Sequence, residues 1–297
     1  MKRFVRYQNG NYTVTIDTQN GTKIRENDLD FFRADFPESM DIKICNKCDM
    51  ACPMCHENST PDGKCGDIMS ESFIDKLRPY TELAIGGGNP LEHPSLVLFL
   101  EKCQRLQLIP SMTVNQFHFM KHKNFLKALV DKKLIYGLGI SLTHITDEFI
   151  EAVKEFPNAV IHVINGIVHL VQLEALANKG FKILILGYKE FRRGEVLYQH
   201  QSTAIEELKK MLYDKLPQII KENWFEVVSF DNLAIKQLDA QRLMSEEDWD
   251  QFYMGDDGSA TMYVDMVNRE FAKSSTSTER YPLEDDIITM FEKIRIN

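Results

Sequence analysis

Polar and apolar positions alternate along Tyr12-Thr-Val-Thr-Ile16, and Asn9-Gly10 and Asn20-Gly21 supply the residues that tight hairpin turns prefer. Residues 1–26 therefore read as a small β-meander. From residue 41 the pattern changes to short apolar runs, rich in β-branched residues, that alternate with segments of helical period. The runs are Asp41–Ile44, Leu83–Ile85, Met112–Val114, Tyr136–Leu142, Val160–Ile164, Phe181–Leu186, Phe225–Phe230 and Thr261–Met266. Helices are predicted between them at about 70–78, 95–107, 122–132, 146–155, 169–179 and 202–222. The last opens on a capping box, Thr203-x-x-Glu206, and places Ile205, Leu208, Leu212, Leu216 and Ile219 on one face. A further short helix is predicted from Ser245, and another near 284–294. No internal repeat is visible.

Strand–helix alternation implies parallel strands joined by right-handed crossovers, and six to eight such units make an open or closed barrel. The expected organisation is an N-terminal extension over 1–40, a core over 41–230 and a C-terminal extension over 231–297. In such architectures ligands gather at the carboxyl ends of the strands. The segments expected around one mouth are a cysteine-rich loop after the first run, Gly86–Pro90 after the second, Asn115 after the third, Thr143-His144 after the fourth and Gly187-Tyr-Lys189 after the sixth.

Composition changes the picture by exclusion. With 297 residues, 43% hydrophobic and 27% charged, the chain has the make-up of a globular protein. Its formal net charge of −9 makes it a poor general nucleic-acid binder, because that binding rests on neutralising phosphates. The basic stretch Lys121, His122, Lys123, Lys127, Lys132 and Lys133 reads as a solvated helix face. The longest apolar stretch, near Ala159–Leu173, is broken by His162, Asn165, His169 and Gln172, so no membrane span is expected. No apolar segment follows Met1-Lys2-Arg3 to make a signal peptide, which predicts a cytoplasmic protein.

Of six cysteines, Cys45, Cys48, Cys52 and Cys55 fall within a single short segment, which in a cytoplasmic protein reads as metal or redox chemistry. Three readings compete. Structural zinc usually takes two Cys pairs a dozen or more residues apart, whereas here the two C-x-x-C pairs are almost adjacent. The ferredoxin run C-x₂-C-x₂-C-x₃-C-P matches only at its tail, Cys48-x₃-Cys52-Pro53. In the third, Cys48-x₃-Cys52-x₂-Cys55 holds three irons of a [4Fe–4S] cluster and leaves the fourth open, as catalytic metal sites require.

That loop, set directly after a strand, resembles the signature of the radical S-adenosylmethionine (SAM) enzymes. The resemblance extends over most of residues 41–190. Gly86-Gly87-Gly88-Asn89-Pro90 resembles the family's G-G-E-P segment. Val114-Asn115 falls where many members carry a T-N-G-like turn. Ile140-Ser141-Leu142 resembles the segment that supplies a hydroxyl near the ribose, and Leu186-Gly187-Tyr188-Lys189 lies where a strand passes the adenine. Two positions depart from the pattern. Met54 stands where an aromatic residue usually precedes the third cysteine, and Asn89 replaces the carboxylate that binds the SAM ammonium, with Glu92 nearby as a substitute. The resemblance implies a partial (β/α) barrel, a [4Fe–4S] cluster on Cys48, Cys52 and Cys55, and SAM held by Met54, Gly86, Gly87, Gly88, Asn89, Pro90, Asn115, Ser141, Leu186, Gly187 and Tyr188. It also implies reductive SAM cleavage, hydrogen abstraction from a substrate, and a one-electron donor such as flavodoxin or ferredoxin. The contrasting class is a non-catalytic iron–sulfur or zinc-binding protein.

Other residues carry weaker signals. Cys45 reads as a buried free thiol, Cys103 as core, and Cys65, in a polar loop with Gly63 and Gly66, as a substrate-facing thiol. His56 follows the last cluster cysteine. Lys189, Arg192 and Arg193 form a cationic group, either for the SAM carboxylate or an anionic substrate or as a surface loop. Many peptide-modifying members carry a cysteine-rich C-terminal extension for further clusters; this chain has no cysteine beyond Cys103. Substrate recognition is expected in the C-terminal third, around Phe230-Asp-Asn232, Gly255–Gly258 and the polar loop Ser274–Thr278, and activation of a glycyl-radical partner is one subclass.

Overall fold

The computed structural model describes residues 3–29 and 31–295; Met1, Lys2 and the chain's last two residues, which the terminal expectations above include, lie outside the described residues. An antiparallel sheet of β1 (Phe4–Asn9), β2 (Tyr12–Asp17) and β3 (Lys23–Glu26) comes first, as its alternating pattern predicts. Then follow β4 (Ser39–Cys45), α1 (Ser72–Asp75), β5 (Glu82–Gly87), α2 (Leu96–Arg105), β6 (Ile109–Asn115), α3 (Gln116–Asp131), β7 (Gly137–Ser141), α4 (Asp147–Lys154), β8 (Ala159–Ile164), α5 (Leu170–Leu176), β9 (Lys182–Leu186), α6 (Arg193–Lys221) and β10 (Val227–Phe230). The chain continues through α7 (Asn232–Leu238), α8 (Glu246–Phe252), β11 (Thr261–Asp265), β12 (Glu270–Ala272), β13 (Tyr281–Pro282) and α9 (Ile287–Ile294).

The main sheet has ten strands in the order β10-β9-β8-β7-β6-β5-β4-β11-β12-β13. The strands from β10 to β11 run parallel, and β12 and β13 complete the edge antiparallel. Residues 231–297 thus contribute to the main sheet, since β11 enters beside β4. Among the described residues no pairing closes the sheet, but it is curled. Asn232, two residues beyond β10, donates to Asp257, four residues before β11, at 2.7 Å. Seven strand intervals separate β10 from β11, about 34 Å in a flat sheet at ~4.8 Å each. Six connecting residues reach at most about 21 Å. Only curvature brings the two together.

The two faces of the sheet differ. Ile42, Leu83, Ile85, Met112, Val114, Leu138, Ile140, Ile161, Val163, Ile183 and Ile185 are buried on the outer face against the crossover helices. Full burial of such a side chain stabilises by roughly 1.5–3 kcal/mol. The inner face carries Asp41, Ala84, Ser111, Thr113, Gly139, Ser141 and His162. Asp41 and Ala84 are exposed although their strands lie inside the sheet, so the concave face is an open lumen. Parallel strands covered on both faces read as continuous apolar runs, so this alternation marks a face left uncovered.

Three predictions are corrected. The 202–222 helix begins instead at Arg193 and kinks at Gln201 (φ −133°, ψ 25°), just before the supposed cap. Glu206 does not turn back to a helix start but accepts from Tyr198 and Lys209 at 3.1 and 2.8 Å. Secondly, α7, β12 and β13 are additional to the predicted elements, and the polar loop Ser274–Thr278 lies between β12 and β13. Thirdly, Cys45 and Cys65 are not free thiols: they form a disulfide. Cys103 is buried as expected, and burial pushes its thiol up to about 12. No helix among the described residues is long and apolar enough to cross a membrane.

Candidate active site

The loop leaving the carboxyl end of β4 folds back on its own strand. Asn46 N–H donates to Lys64 O at 2.7 Å, Cys48 N–H to Thr60 O at 2.8 Å, and Gly66 N–H to Ile44 O at 2.9 Å. The Cys45–Cys65 disulfide closes the base. Within it Cys55 N–H donates to Cys52 O at 3.2 Å. Cys48, Cys52 and Cys55 are free, part-buried thiols. Burial raises the Cys48 and Cys52 thiols; Cys55 raises both further and Cys48 also raises Cys52, so the three are electrostatic neighbours.

Adjacent loops clasp this one. Gly88 and Asn89 donate their N–H groups to Cys45 O and Lys47 O, each at 2.7 Å. A Cβ on Gly87, whose φ is +116°, would lie 2.4 Å from Cys45 O, and one on Gly88 2.5 Å from Lys47 O; only glycine permits this approach. A Cβ on Gly86 would meet nothing within 4 Å, because that glycine faces open space. Asn89 is buried, and its Oδ1 accepts from Leu91 N–H at 3.2 Å, capping the short 3₁₀ turn that Pro90 begins. Glu92 pairs with Lys47 at 3.1 Å.

Beyond β9, Arg193 donates to Cys52 O at 3.3 Å and to Ser59 O, while Arg192 donates to Glu57 O at 3.0 Å. Lys189 reaches Ser275 Oγ at 2.9 Å and His56 Nε2 at 3.4 Å. The three cations read from the sequence as a ligand group or a surface loop are thus directed at the cysteine loop and its surroundings. His56 is held below the usual imidazole range by burial and by Lys189. Burial alone would raise the Glu57 carboxyl, but His56 and Lys43 hold it well below the carboxylate range. Lys43 makes buried ion pairs to Glu57 at 2.8 Å and Asp265 at 3.2 Å.

Asn115 caps α3 by accepting from Phe117 N–H at 2.8 Å. Its neighbour Gln116, buried and absent from the sequence reading, accepts from Thr143 N–H (2.9 Å) and His144 N–H (3.1 Å) and donates to His144 O (2.6 Å). His118 binds Asp49 of the cysteine loop at 2.7 Å. Gln116 and His118 look like ordinary helix residues in sequence, and only their position after the capping Asn115 hinted at more. Ser141 ends β7 on the inner face. Gly187 N–H donates to Asp231 at 2.9 Å and Tyr188 N–H to Gln237 at 2.8 Å, so α7 fixes the exit of β9. The Tyr188 ring is buried, with its hydroxyl donating to Gly194 O at 2.8 Å. The expected segments therefore meet in two groups: the glycine loop and residues 189–193 on the cysteine loop, and Asn115–Gln116 on Thr143–His144. His118 links them. A cleft of about 660 Å³ lined by Tyr7, Arg78 and Tyr80 involves none of these residues.

Among the described residues no three His, Cys, Asp or Glu side chains are gathered as around one ion. A single zinc needs its donors about 2.0–2.3 Å from one centre, whereas a cluster spreads one thiolate over each iron. Three neighbouring thiols on one loop fit the second donor set.

No family model and no curated protein matches the chain by sequence. Streptococcus suis SuiB bound to the precursor peptide SuiA shares the fold at TM-score 0.62 and 12% identity, over 97% of this chain and 87% of that one. SuiB bound to S-adenosylmethionine superposes at TM-score 0.61 and 12% identity, over 98% and 85%. At such identity the likeness is one of fold.

Proposed function

We propose that the chain is a radical SAM enzyme with a partial (β/α) barrel, in which Cys48, Cys52 and Cys55 hold a [4Fe–4S] cluster. The observation that carries this is a three-thiol loop at the carboxyl end of β4, in a fold shared with a SAM-bound protein. When bound, cluster and SAM supply reductive cleavage of the sulfonium and hydrogen abstraction from the substrate. The chain's own part is positioning. Gly87 and Gly88 bring the glycine loop's backbone against the cysteine loop, while Arg193 and His118 fix that loop through Cys52 O and Asp49. Gly86, Asn89, Pro90, Asn115, Ser141, Met54, Leu186, Gly187 and Tyr188 are the proposed SAM contacts, Tyr188 through its backbone because its ring is buried. Flavodoxin or ferredoxin is the proposed electron donor and the cytoplasm the proposed compartment. The peptide held by SuiB supports a peptide substrate.

Anaerobic reconstitution tests the reading. About four irons per chain are expected, with methionine and 5′-deoxyadenosine produced from SAM under a strong one-electron reductant. Cluster assembly without SAM cleavage would leave a non-catalytic iron–sulfur protein; no iron uptake would overturn both.

A further inference from the structure

Two inward-facing side chains on β4, two residues apart, are treated in opposite ways. Lys43 is buried and paired with two carboxylates. Asp41 has no such partner: among the described residues no group donates to its carboxylate and no cation lies within ion-pair distance. Water reaches it, yet protein walls it in. Burial raises its carboxyl to about 6, and Asp257, Asp231 and Glu57 raise it against the opposing pull of Lys189. That lysine's ammonium is engaged by Ser275 and His56. Elsewhere enclosed charges are matched: Lys23 and Arg25 to Glu38, and Lys102 to Asp75. Asp41 opens on the lumen without a counter-ion of its own, so a cation entering the lumen can complete it.

The surrounding wall leaves room for that completion. Asp41 lies in register with Ala84, which is also open to the lumen, and beyond it with Ser111 and Gly137. Further along the wall, a Cβ on Gly139 would fall 2.6 Å from His162 Nε2 and 2.7 Å from Thr113 Oγ1. The absence of a side chain there lets the imidazole lie over Gly139. Among the described residues the His162 ring has no hydrogen-bond partner, and burial alone lowers it to about 4, so it is a neutral group open to a ligand.

We propose that the lumen takes a substrate bearing a protonated nitrogen, an alkylammonium or guanidinium, with Asp41 as its counter-ion and His162 hydrogen-bonding a polar group further along. This deepens the proposed function and rests on it for the reaction, but the binding claim stands apart from any cluster. Such a nitrogen belongs either to a small amine or to a lysine or arginine of a peptide.

The test is ligand-observed NMR on the full-length chain, as purified and again after reconstitution, with n-butylammonium, Nα-acetyl-lysine amide and butyrate as probes. Both cations should bind and butyrate should not. Asp41→Asn should weaken both cations about tenfold or more, the range of a charge-assisted hydrogen bond. Tighter binding of the lysine amide assigns the nitrogen to a peptide, and equal binding to a small amine. Asp41→Asn should also melt no lower than wild type at pH 8, because it removes an unmatched charge. Equal cation binding by wild type and Asp41→Asn, or butyrate binding as well as the cations, would overturn the proposal, as would a large loss of stability in Asp41→Asn. Failure of SAM cleavage with intact cation binding would refute the proposed function alone.

Discussion

The two ends of β4 are held by different chemistry. Before its first residue, Glu38 is almost fully buried and accepts from Arg25 Nε at 3.0 Å, from Lys23 at 3.3 Å and from the Tyr12 hydroxyl. Lys23 also pairs with Glu82, so the N-terminal sheet is locked to the starts of β4 and β5 by charges that satisfy one another. Beyond its last residue, the cysteine loop is held chiefly by backbone hydrogen bonds, a disulfide and arginines on carbonyl oxygens, and among the described residues no side chain bonds its three thiols. The first arrangement completes itself. The second fixes the backbone while leaving side chains to be completed from outside. In parallel α/β folds that division separates the stability end from the site end.

The sharpest way to break this comparison is at the thiols. Cys48→Ala, Cys52→Ala or Cys55→Ala should each abolish SAM cleavage and bleach the visible absorption of the reconstituted protein, while the melting temperature of the cluster-free chain hardly changes. Full iron with full cleavage in any of them would remove that residue from the ligand set. Glu38→Gln should do the reverse. It leaves Lys23 and Arg25 facing a neutral amide in a buried site, and removing one partner of such a pair costs about 3–5 kcal/mol. Denaturant unfolding should show that loss, with iron content per folded chain unchanged.

A smaller effect sharpens the loop's own description. The disulfide joins residues 20 apart, and closing a loop of that size stabilises by about 3 kcal/mol in the chain-entropy account. Reduction, or Cys45→Ala with Cys65→Ala, should lower the melting temperature yet leave about four irons per chain, since neither sulfur is a proposed ligand. Halved iron in the double variant would mean that the pair serves a metal instead. In the reducing cytoplasm proposed above, the same loss is expected whenever the pair opens.

Much of this was legible in sequence, for definable reasons. The order of strands and helices followed from β-branched runs and helical period, and the cysteine loop from local spacing. The Cys45–Cys65 pairing was not, because no local spacing joins a strand end to a loop 20 residues on. The work of Arg192 and Arg193 was missed because it lies in donations to carbonyl oxygens of another loop, which leave no trace in side-chain pattern. Helix α7 is one short stretch whose only signal was the capping residue Asp231, which accepts from Ala234 N–H at 2.7 Å. The open inner face was legible but unread: Asp41 and Lys43, and Gly139 and Ser141, fall at every second position of runs read as apolar, and Thr113 sits between Met112 and Val114.

The smallest expected effect concerns that inner face and has a sign. Asp41 has its carboxyl raised from 3.8 to about 6, so between those values the folded chain binds the proton that the unfolded chain releases. Its contribution to stability therefore declines as pH rises from about 4 to 6. His162 is lowered from 6.5 to about 4, so over nearly the same interval the unfolded chain binds the proton and stability rises with pH. The two slopes oppose each other in the wild type. Asp41→Asn should leave the His162 slope unmasked, with melting temperature falling more steeply on acidification from pH 6.5 to 4 than in the wild type. His162→Gln should leave the Asp41 slope, and its melting temperature should fall less steeply over the same range. By contrast, a buried and internally paired group such as Glu38, held below its usual range by Lys23 and Arg25 despite its burial, shifts stability in the direction expected of a salt-bridged acid, lost as pH falls. Melting curves for the two variants that bend the same way relative to wild type would show that Asp41 and His162 do not stand unpaired on a shared wall.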